Sequence, residues 1–217
     1  MSNLGAIRVA MAEPALPQDV VFDALHTMRT HLGMEIAYLS EFVGEELVFR
    51  SVDAPGLEHL AQVGGQRSLH DTYCRQILSG DLPQLIPDTS AVPRALAMPV
   101  AHDTPIGAHV SIPIERSDGT PYGMFCCLSP NPNPSLNERD LNLMRTFARL
   151  AQAEVQRSLE QKSQADAMAE MIDHALHNQI FDMVYQPIFD LQSGDMTGME
   201  ALCRFQTDPY RPPNLWF

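Results

Sequence analysis

Residues 135–178 read SLNERDLNLMRTFARLAQAEVQRSLEQKSQADAMAEMIDHALHN, and they decide the architecture because they separate a β-rich first half from a short β-rich tail. Pro134 precedes the stretch, and Ser135 with Glu138 has the spacing of a capping box, which predicts a helix start. The stretch contains no glycine and no proline. One helix of this length would span roughly 60 Å at 1.5 Å per residue, which predicts a connector between domains.

Apolar residues along this stretch recur at alternating steps of three and four, which is typical of a helix with one buried face. They are Leu141, Met144, Ala148, Ala151, Val155, Ala165, Ala169, Ile172 and Leu176. Ser158 and Lys162 interrupt the same seam. Two interpretations stay open: a weak parallel contact between two copies of the helix, or a first half packed on the preceding domain and a second half on the following one.

The composition bounds the class of protein. The 217 residues are 45% hydrophobic and 19% charged, which suits one to two soluble domains. The net charge is −13 and no basic stripe occurs, so binding to nucleic acid or to an anionic membrane surface is not expected. No apolar run of about 18 residues predicts a membrane span. The four cysteines lack CxxC spacing and are typical of reduced thiols, which predicts a cytoplasmic location.

The first half predicts an α+β domain with an antiparallel sheet of five or six strands flanked by helices. Residues 1–17 are predicted to form a flexible arm. Periodicity and turn signals then predict a helix over residues 18–32 that ends at Gly33, a hairpin over 35–52, a short helix over 69–78, and strands over 84–88, 108–115 and 122–128. Asp118-Gly119 is a strong turn signal between the last two strands.

Three motifs in this half resemble the GAF domain family. They are Ser68-Leu69-His70-Asp71-Thr72-Tyr73-Cys74, Ile86-Pro87-Asp88-Thr89, and Ile106 to Ile114 followed by Asp118-Gly119-Thr120-Pro121-Tyr122-Gly123. The resemblance covers residues 18–155, with the last helix starting at 135, and leaves 156–178 as a helical linker. It implies a sensory module that binds an unidentified small molecule or forms a homodimer through the GAF and connector helices. The expected pocket residues are Tyr73, Cys74, Asp88 and His109.

Several alternatives remain open for this domain. Cys74 could carry a covalent bilin, as in photoreceptors of the family, although Arg75 follows where those proteins generally have histidine. His70 and Cys74, at i and i+4, supply half of a zinc or haem site at best. Cys126 or Cys127, with Cys74, could reduce free methionine sulfoxide, and only one of the adjacent pair can face a pocket. The domain could also be a dimerisation module without a ligand.

The tail contains Tyr185-Gln186-Pro187-Ile188, a turn at residues 191–195, and Glu200-Ala201-Leu202-Cys203-Arg204. This order resembles the opening of an EAL domain, a phosphodiesterase that cleaves cyclic di-GMP. The resemblance implies that Glu200 is a metal ligand and that Gln186, Leu202 and Arg204 contact the substrate. Alternation along a strand places Glu200, Leu202 and Arg204 on one face.

Residues 179–217 are expected to be a truncated EAL domain, namely the first two strands of an incomplete β/α barrel. The further acidic ligands, the asparagine and the lysine of the family motif do not follow, and one carboxylate cannot hold a two-metal site. Mg²⁺ or Mn²⁺ and cyclic di-GMP are therefore expected only in a full-length parent. These 217 residues are not expected to hydrolyse cyclic di-GMP.

Overall fold

The computed structural model describes residues 18–205, which fall into two compact units that divide between Ser158 and Leu159. The helices are Gln18–Leu32 (α1), Tyr73–Leu78 (α2), Pro93–Leu96 (α3), Val100–Asp103 (α4) and Glu138–His177 (α5). The strands are Ile36–Val43 (β1), Glu46–Asp53 (β2), Gln66–Ser68 (β3), Leu85–Ile86 (β4), Ala108–Glu115 (β5), Pro121–Ser129 (β6), Phe181–Phe189 (β7) and Met196–Phe205 (β8). The predicted flexible arm, residues 1–17, lies outside the described residues.

The first unit contains a six-stranded antiparallel sheet in the order β3-β2-β1-β6-β5-β4. The α+β prediction and the predicted strand number are thus confirmed. The sequence did not predict β3, because its three residues are polar and join the sheet only through backbone pairing with β2. The short helices α3 and α4 were also missed.

The two faces of this sheet pack against different helices of the same unit. Cys127 lies on the face toward α5, and its sulfur is 3.9 Å from the sulfur of Met144. Tyr38, Cys126 and Leu128 lie on the other face, in the core cluster that includes residues of α2, α3 and α4. Alternation along β6 puts the adjacent Cys126 and Cys127 on opposite faces, as predicted.

Strands β1 and β6 approach so closely that position 123 must be glycine. A Cβ atom on Gly123 would lie 1.7 Å from the carbonyl oxygen of Ser40. The Ser40 hydroxyl also donates to the carbonyl of Met124 over 3.4 Å. Any side chain at position 123 would therefore force apart the two central strands of the sheet.

Helix α1 ends where the sequence predicted. Gly33 has a φ of 59°, and the backbone N–H of Met34 donates to the carbonyl of Arg29 over 3.0 Å. This is a Schellman C-cap, which glycine favours because it has no Cβ to clash in the left-handed region. The guanidinium Nε of Arg29 lies 2.6 Å from a carboxylate oxygen of Asp53 on β2, which ties the helix to the sheet.

Helix α5 begins two residues later than the predicted capping box. Asn137 accepts a hydrogen bond from the backbone of Arg139, and the backbone N–H of Asn137 donates to Asp140 over 3.0 Å. These reciprocal bonds form a capping box at Asn137 and Asp140. The Ser135 hydroxyl donates instead to the Asn133 side chain, so the predicted Ser135–Glu138 box was wrong.

The buried stripe of α5 belongs to its first half. Leu141, Met144, Ala148, Ala151 and Val155 are all buried within the first unit. Beyond Ser158, Ala165 and Ile172 of the predicted seam are half-buried, Ala169 is exposed, and Leu176 is 52% exposed. For the first half, the structure therefore favours packing on the preceding domain within one chain.

The second unit is a short hairpin with a small core. Strands β7 and β8 pair antiparallel, and Ala175 is buried among Met168, Met171, Ile172, Ile180, Phe181 and Cys203. Helix α5 ends in a Schellman motif, with Gln179 at a φ of 54° and the N–H of Ile180 donating to Ala175. Within residues 18–205, no helix is long and apolar enough to cross a membrane.

Candidate functional site

A cavity of about 40 Å³ lies between the sheet of the first unit and helices α2 and α4, and it has room for a few water molecules. Its apolar wall includes Ile36, Leu47, Phe49, Val100, Ile106 and Leu128. Its polar lining consists of Tyr38, Arg67, Thr72, Tyr73, Cys74, Thr104 and His109. A mostly apolar cavity with a few convergent polar groups is the usual form of a small-molecule site.

His109 is a deeply buried titratable group of this lining, with 2% of its surface exposed. Its ring packs edge-on against Tyr73, with 5.4 Å between ring centroids. Burial lowers the pKa of His109 to about 4, because the apolar surroundings disfavour the charged ring. The imidazole is therefore neutral near pH 7. It offers hydrogen bonding but no charge.

Three buried polar atoms near this cavity have no hydrogen-bond partner among residues 18–205: Nδ1 of His109, Oγ1 of Thr104 and Oγ of Ser111. Ser111 follows His109 by two positions on β5 and therefore shares its face. Leaving such a group unsatisfied costs about 1–3 kcal/mol. Two of them, Nδ1 of His109 and Oγ1 of Thr104, line the cavity, where water or another polar molecule would satisfy them.

Two thiols and a phenol lie beside the same cavity. Tyr38 pairs with Cys126 across β1 and β6, and its hydroxyl lies 4.0 Å from the sulfur of Cys74. The hydrogen bond with Cys126 lowers the pKa of the Cys74 thiol. Burial raises the pKa of Cys126 well above its ordinary value.

The structure brings together three of the four pocket residues expected from the sequence. Tyr73, Cys74 and His109 line the cavity, whereas Asp88 is not among its lining residues. The Asp88 carboxylate caps a short turn and accepts hydrogen bonds from the backbone and hydroxyl of Ser90, over 2.9 and 2.6 Å. Sequence analysis missed Thr104, because the residues before it gave no clear period.

The half-site of His70 and Cys74 does not form in the structure. The His70 ring is 2.7 Å from the Glu45 carboxylate and its side chain is 55% exposed, whereas Cys74 is buried. Within the described part of the chain, no group of three or more His, Cys, Asp and Glu residues could hold a metal ion.

The hairpin of the second unit aligns the residues of the EAL-like motif. Gln186 lies directly across from Glu200, Val184 from Leu202, and Asp182 from Arg204. Directly opposed residues share a face, so Gln186, Glu200, Leu202 and Arg204 all lie on one side of the ribbon.

This ribbon by itself does not make a metal site. Asp182, Gln186 and Glu200 supply three oxygen-bearing side chains on this face, whereas a hard divalent cation takes about six oxygen ligands. The donors present in residues 18–205 therefore do not fit a bound Mg²⁺ or Mn²⁺, and no catalytic step follows from them.

Two protein-family models match the sequence. The model described as GAF domain matches residues 17–155, which is more than half of the chain. The model described as EAL domain matches residues 169–212. No curated protein matches the chain.

Solved structures share the fold. The GAF domain from an Acinetobacter phosphoenolpyruvate-protein phosphotransferase is 9% identical with a TM-score of 0.53, covering 66% of this chain and 84% of that chain. The free methionine-R-sulfoxide reductase from Neisseria meningitidis, in complex with its substrate, is 17% identical with a TM-score of 0.51, covering 66% and 81%. The chromophore-binding domain of an unusual bacteriophytochrome from R. palustris is 14% identical with a TM-score of 0.54, covering 70% and 58%. At these identities the likeness concerns the fold alone.

Proposed function

Because this chain belongs to the GAF domain family, we propose that its first unit is a sensory module that binds a small uncharged molecule in the cavity beside His109. In a parent protein with a complete EAL domain, occupancy of the cavity would be passed through α5 to a phosphodiesterase acting on cyclic di-GMP. Mg²⁺ or Mn²⁺ would belong to that complete domain. The four free cysteines suit the cytoplasm.

The observation that carries this proposal is the pair of unsatisfied polar atoms in the cavity. Among residues 18–205, neither Nδ1 of His109 nor Oγ1 of Thr104 has a partner, and both side chains line the same space. A bound molecule with a donor or acceptor at each position would recover the cost of burying them.

The lining also restricts the chemistry of the molecule. The His109 ring is uncharged near pH 7, and most of the wall is apolar, so a charged ligand would lose its hydration without full compensation. The present volume of about 40 Å³ favours a compact molecule. A tetrapyrrole such as a bilin would need the surrounding loops to move.

Two threonines of the same cavity provide a matched test. Thr104→Val removes a hydroxyl that has no partner in residues 18–205, whereas Thr72→Val removes one that donates to the Leu69 carbonyl over 2.9 Å. Native mass spectrometry of the purified wild type is expected to show a bound small molecule. Thr104→Val should lower its affinity roughly fivefold, since one hydrogen bond contributes about 1 kcal/mol, and Thr72→Val should not.

The two variants should differ in stability as well, and here Thr72→Val is the one expected to be impaired. Without ligand, Thr104→Val should unfold at an equal or higher urea concentration than the wild type, because a buried unsatisfied group is lost. Thr72→Val should lower the free energy of unfolding by about 1 kcal/mol, because it removes a hydrogen bond that is made in the fold. A wild-type protein with no bound species would favour the alternative of a ligand-free dimerisation module.

A further inference from the structure

We propose that a cleft between α5 and β5 in the first unit binds a small molecule that carries a phosphate group, with Arg145 and Arg149 as its cationic partners. The cleft has a volume of about 260 Å³. It shares no lining residue with the cavity beside His109, and none of its residues belongs to the second unit. The site is therefore separate from the proposed sensory pocket.

The walls of this cleft come from α5, from β5 and from the segment before β4. Ile112 of β5 belongs to its smaller apolar part. Ile112 and His109 are three positions apart on the same strand, so their side chains lie on opposite faces of the sheet. The polar lining consists of Gln84, Glu115, Arg145, Arg149 and Gln152. A cleft lined mainly by such groups favours a polar ligand.

The charge of the two arginines is not balanced within the fold. Arg145 and Arg149 are one helical turn apart on α5, and neither forms an ion pair with a carboxylate in residues 18–205. Other arginines of this range do pair with Asp or Glu, namely Arg29, Arg50, Arg75, Arg94, Arg116 and Arg157. In a chain with a net charge of −13, two neighbouring arginines without an acidic partner indicate a place for an anion.

Neutral side chains hold the Arg145 guanidinium in place. Its Nη1 donates to Oδ1 of Asn142 over 2.8 Å, and its Nη2 donates to Oε1 of Gln84 over 3.0 Å. The backbone carbonyl of Gln84 in turn accepts from the N–H of Ser111 on β5 over 2.9 Å. These amide oxygens orient the half-buried side chain without cancelling its charge, so little conformational entropy is left to lose when an anion binds.

A phosphate group fits this arrangement better than a single carboxylate does. It carries a charge of about −1.5 to −2 near pH 7, which two guanidiniums balance, and its oxygens accept the paired N–H donors of each. Gln152 adds an uncharged donor, since its Oε1 accepts from the backbone of Glu115 and its NH2 has no partner in residues 18–205. The exposed carboxylate of Glu115 would instead repel a dianion. The volume of about 260 Å³ leaves room for a substituent on the phosphate.

The experiment titrates the full chain with inorganic phosphate at constant ionic strength and follows the arginine Nε–H resonances by nitrogen-15 NMR. The resonances of Arg145 and Arg149 are expected to shift and to saturate. Arg139, an exposed arginine of α5 outside the lining, is expected not to shift. Equal shifts at Arg139, or none at Arg145 and Arg149 up to millimolar phosphate, would overturn the proposal.

Single variants test the assigned charges. Arg149→Gln removes a side chain with no hydrogen bond or ion pair in residues 18–205, so the fold should persist while phosphate affinity falls about tenfold or more. Arg139→Gln makes the same change in net charge and should leave the affinity unchanged. Glu115→Gln removes the repelling carboxylate and should raise it. Equal losses in Arg149→Gln and Arg139→Gln would overturn the proposal.

A second ligand and a cavity variant complete the test. Succinate, a dicarboxylate, should bind more weakly than phosphate at matched ionic strength, and equal or tighter binding would overturn the assignment of a phosphate group. Thr104→Val, which alters the cavity beside His109, should leave phosphate binding unchanged. The phosphate site can therefore fail while the proposed sensory function holds, and the reverse.

Discussion

At the residue scale, His109 shows how one buried side chain can serve a site and limit stability. Its ring lies under Tyr73, with Nδ1 lacking a partner among the described residues. A leucine would fill this space without an unsatisfied atom. The small molecule proposed for the cavity would satisfy this atom and offset the cost of burying the ring.

Burial of neutral His109 should make the protein sensitive to acid. Its pKa is about 4 in the folded chain and 6.5 in the reference state, so the unfolded chain binds the proton first as the pH falls. The contribution of the neutral ring to the free energy of unfolding is complete above about pH 6.5. It is lost progressively as the pH falls toward 4, and the total loss is about 3 kcal/mol. The free energy of unfolding, measured in urea at several pH values, should therefore depend less on pH in His109→Gln than in the wild type.

The exposed His59 provides the control for this measurement. His59→Gln should keep the wild-type pH dependence of the free energy of unfolding. If His109→Gln and the wild type lose equal stability between pH 7 and pH 4.5, the assignment of His109 as a buried neutral group is wrong.

At the element scale, α5 shows that caps are decided by local geometry among competing residues. Ser135, Asn137 and Glu138 all have the right type for the start of a helix, but Asn137 and Asp140 form the reciprocal bonds. Asn133 and Ser135 bond to each other and hold the chain before the helix. The sequence contains two capping patterns that differ by two residues, and pattern reading alone did not separate them.

Replacement of the true cap should cost more than replacement of the predicted one. Asn137→Ala removes the side chain that accepts from Arg139 and should lower the free energy of unfolding by about 1 kcal/mol. Ser135→Ala should change it by less than about 0.5 kcal/mol, because the residue is exposed and outside the helix. Urea unfolding of both variants measures the two losses. An equal loss in free energy of unfolding would contradict the assignment of Asn137 as the cap.

At the scale of the whole molecule, α5 carries a second apolar stripe that its own sheet does not fully cover. Leu143 and Phe147 are half-buried, and Leu150 is 49% exposed, at steps of four and three along the helix. Such spacing is typical of helices that pair with another helix. We propose this stripe as the contact of the homodimer implied by the resemblance to GAF domains.

Leu150→Asp should therefore shift the dimer toward monomer without unfolding the domain, because the side chain is already half in solvent. Light scattering at several protein concentrations should give a dimer mass for the wild type and a lower mass for the variant. Asn142→Asp, an exposed change on the same helix about 100° around the helix axis from the stripe, should leave the mass unchanged. A wild-type monomer at all concentrations would contradict the dimer.

The sequence by itself determined the order of most elements, the GAF-like sheet, the long helix and the EAL-like hairpin, because periodicity and turn residues such as Gly33 and Asp118-Gly119 act locally. Only the tertiary structure decided that Arg29 pairs with Asp53, that β3 joins the sheet edge, and that the Tyr38 hydroxyl lies beside the Cys74 sulfur. These contacts join residues far apart in the chain, and the free energy that forms them comes from packing across the sheet, which no local pattern records.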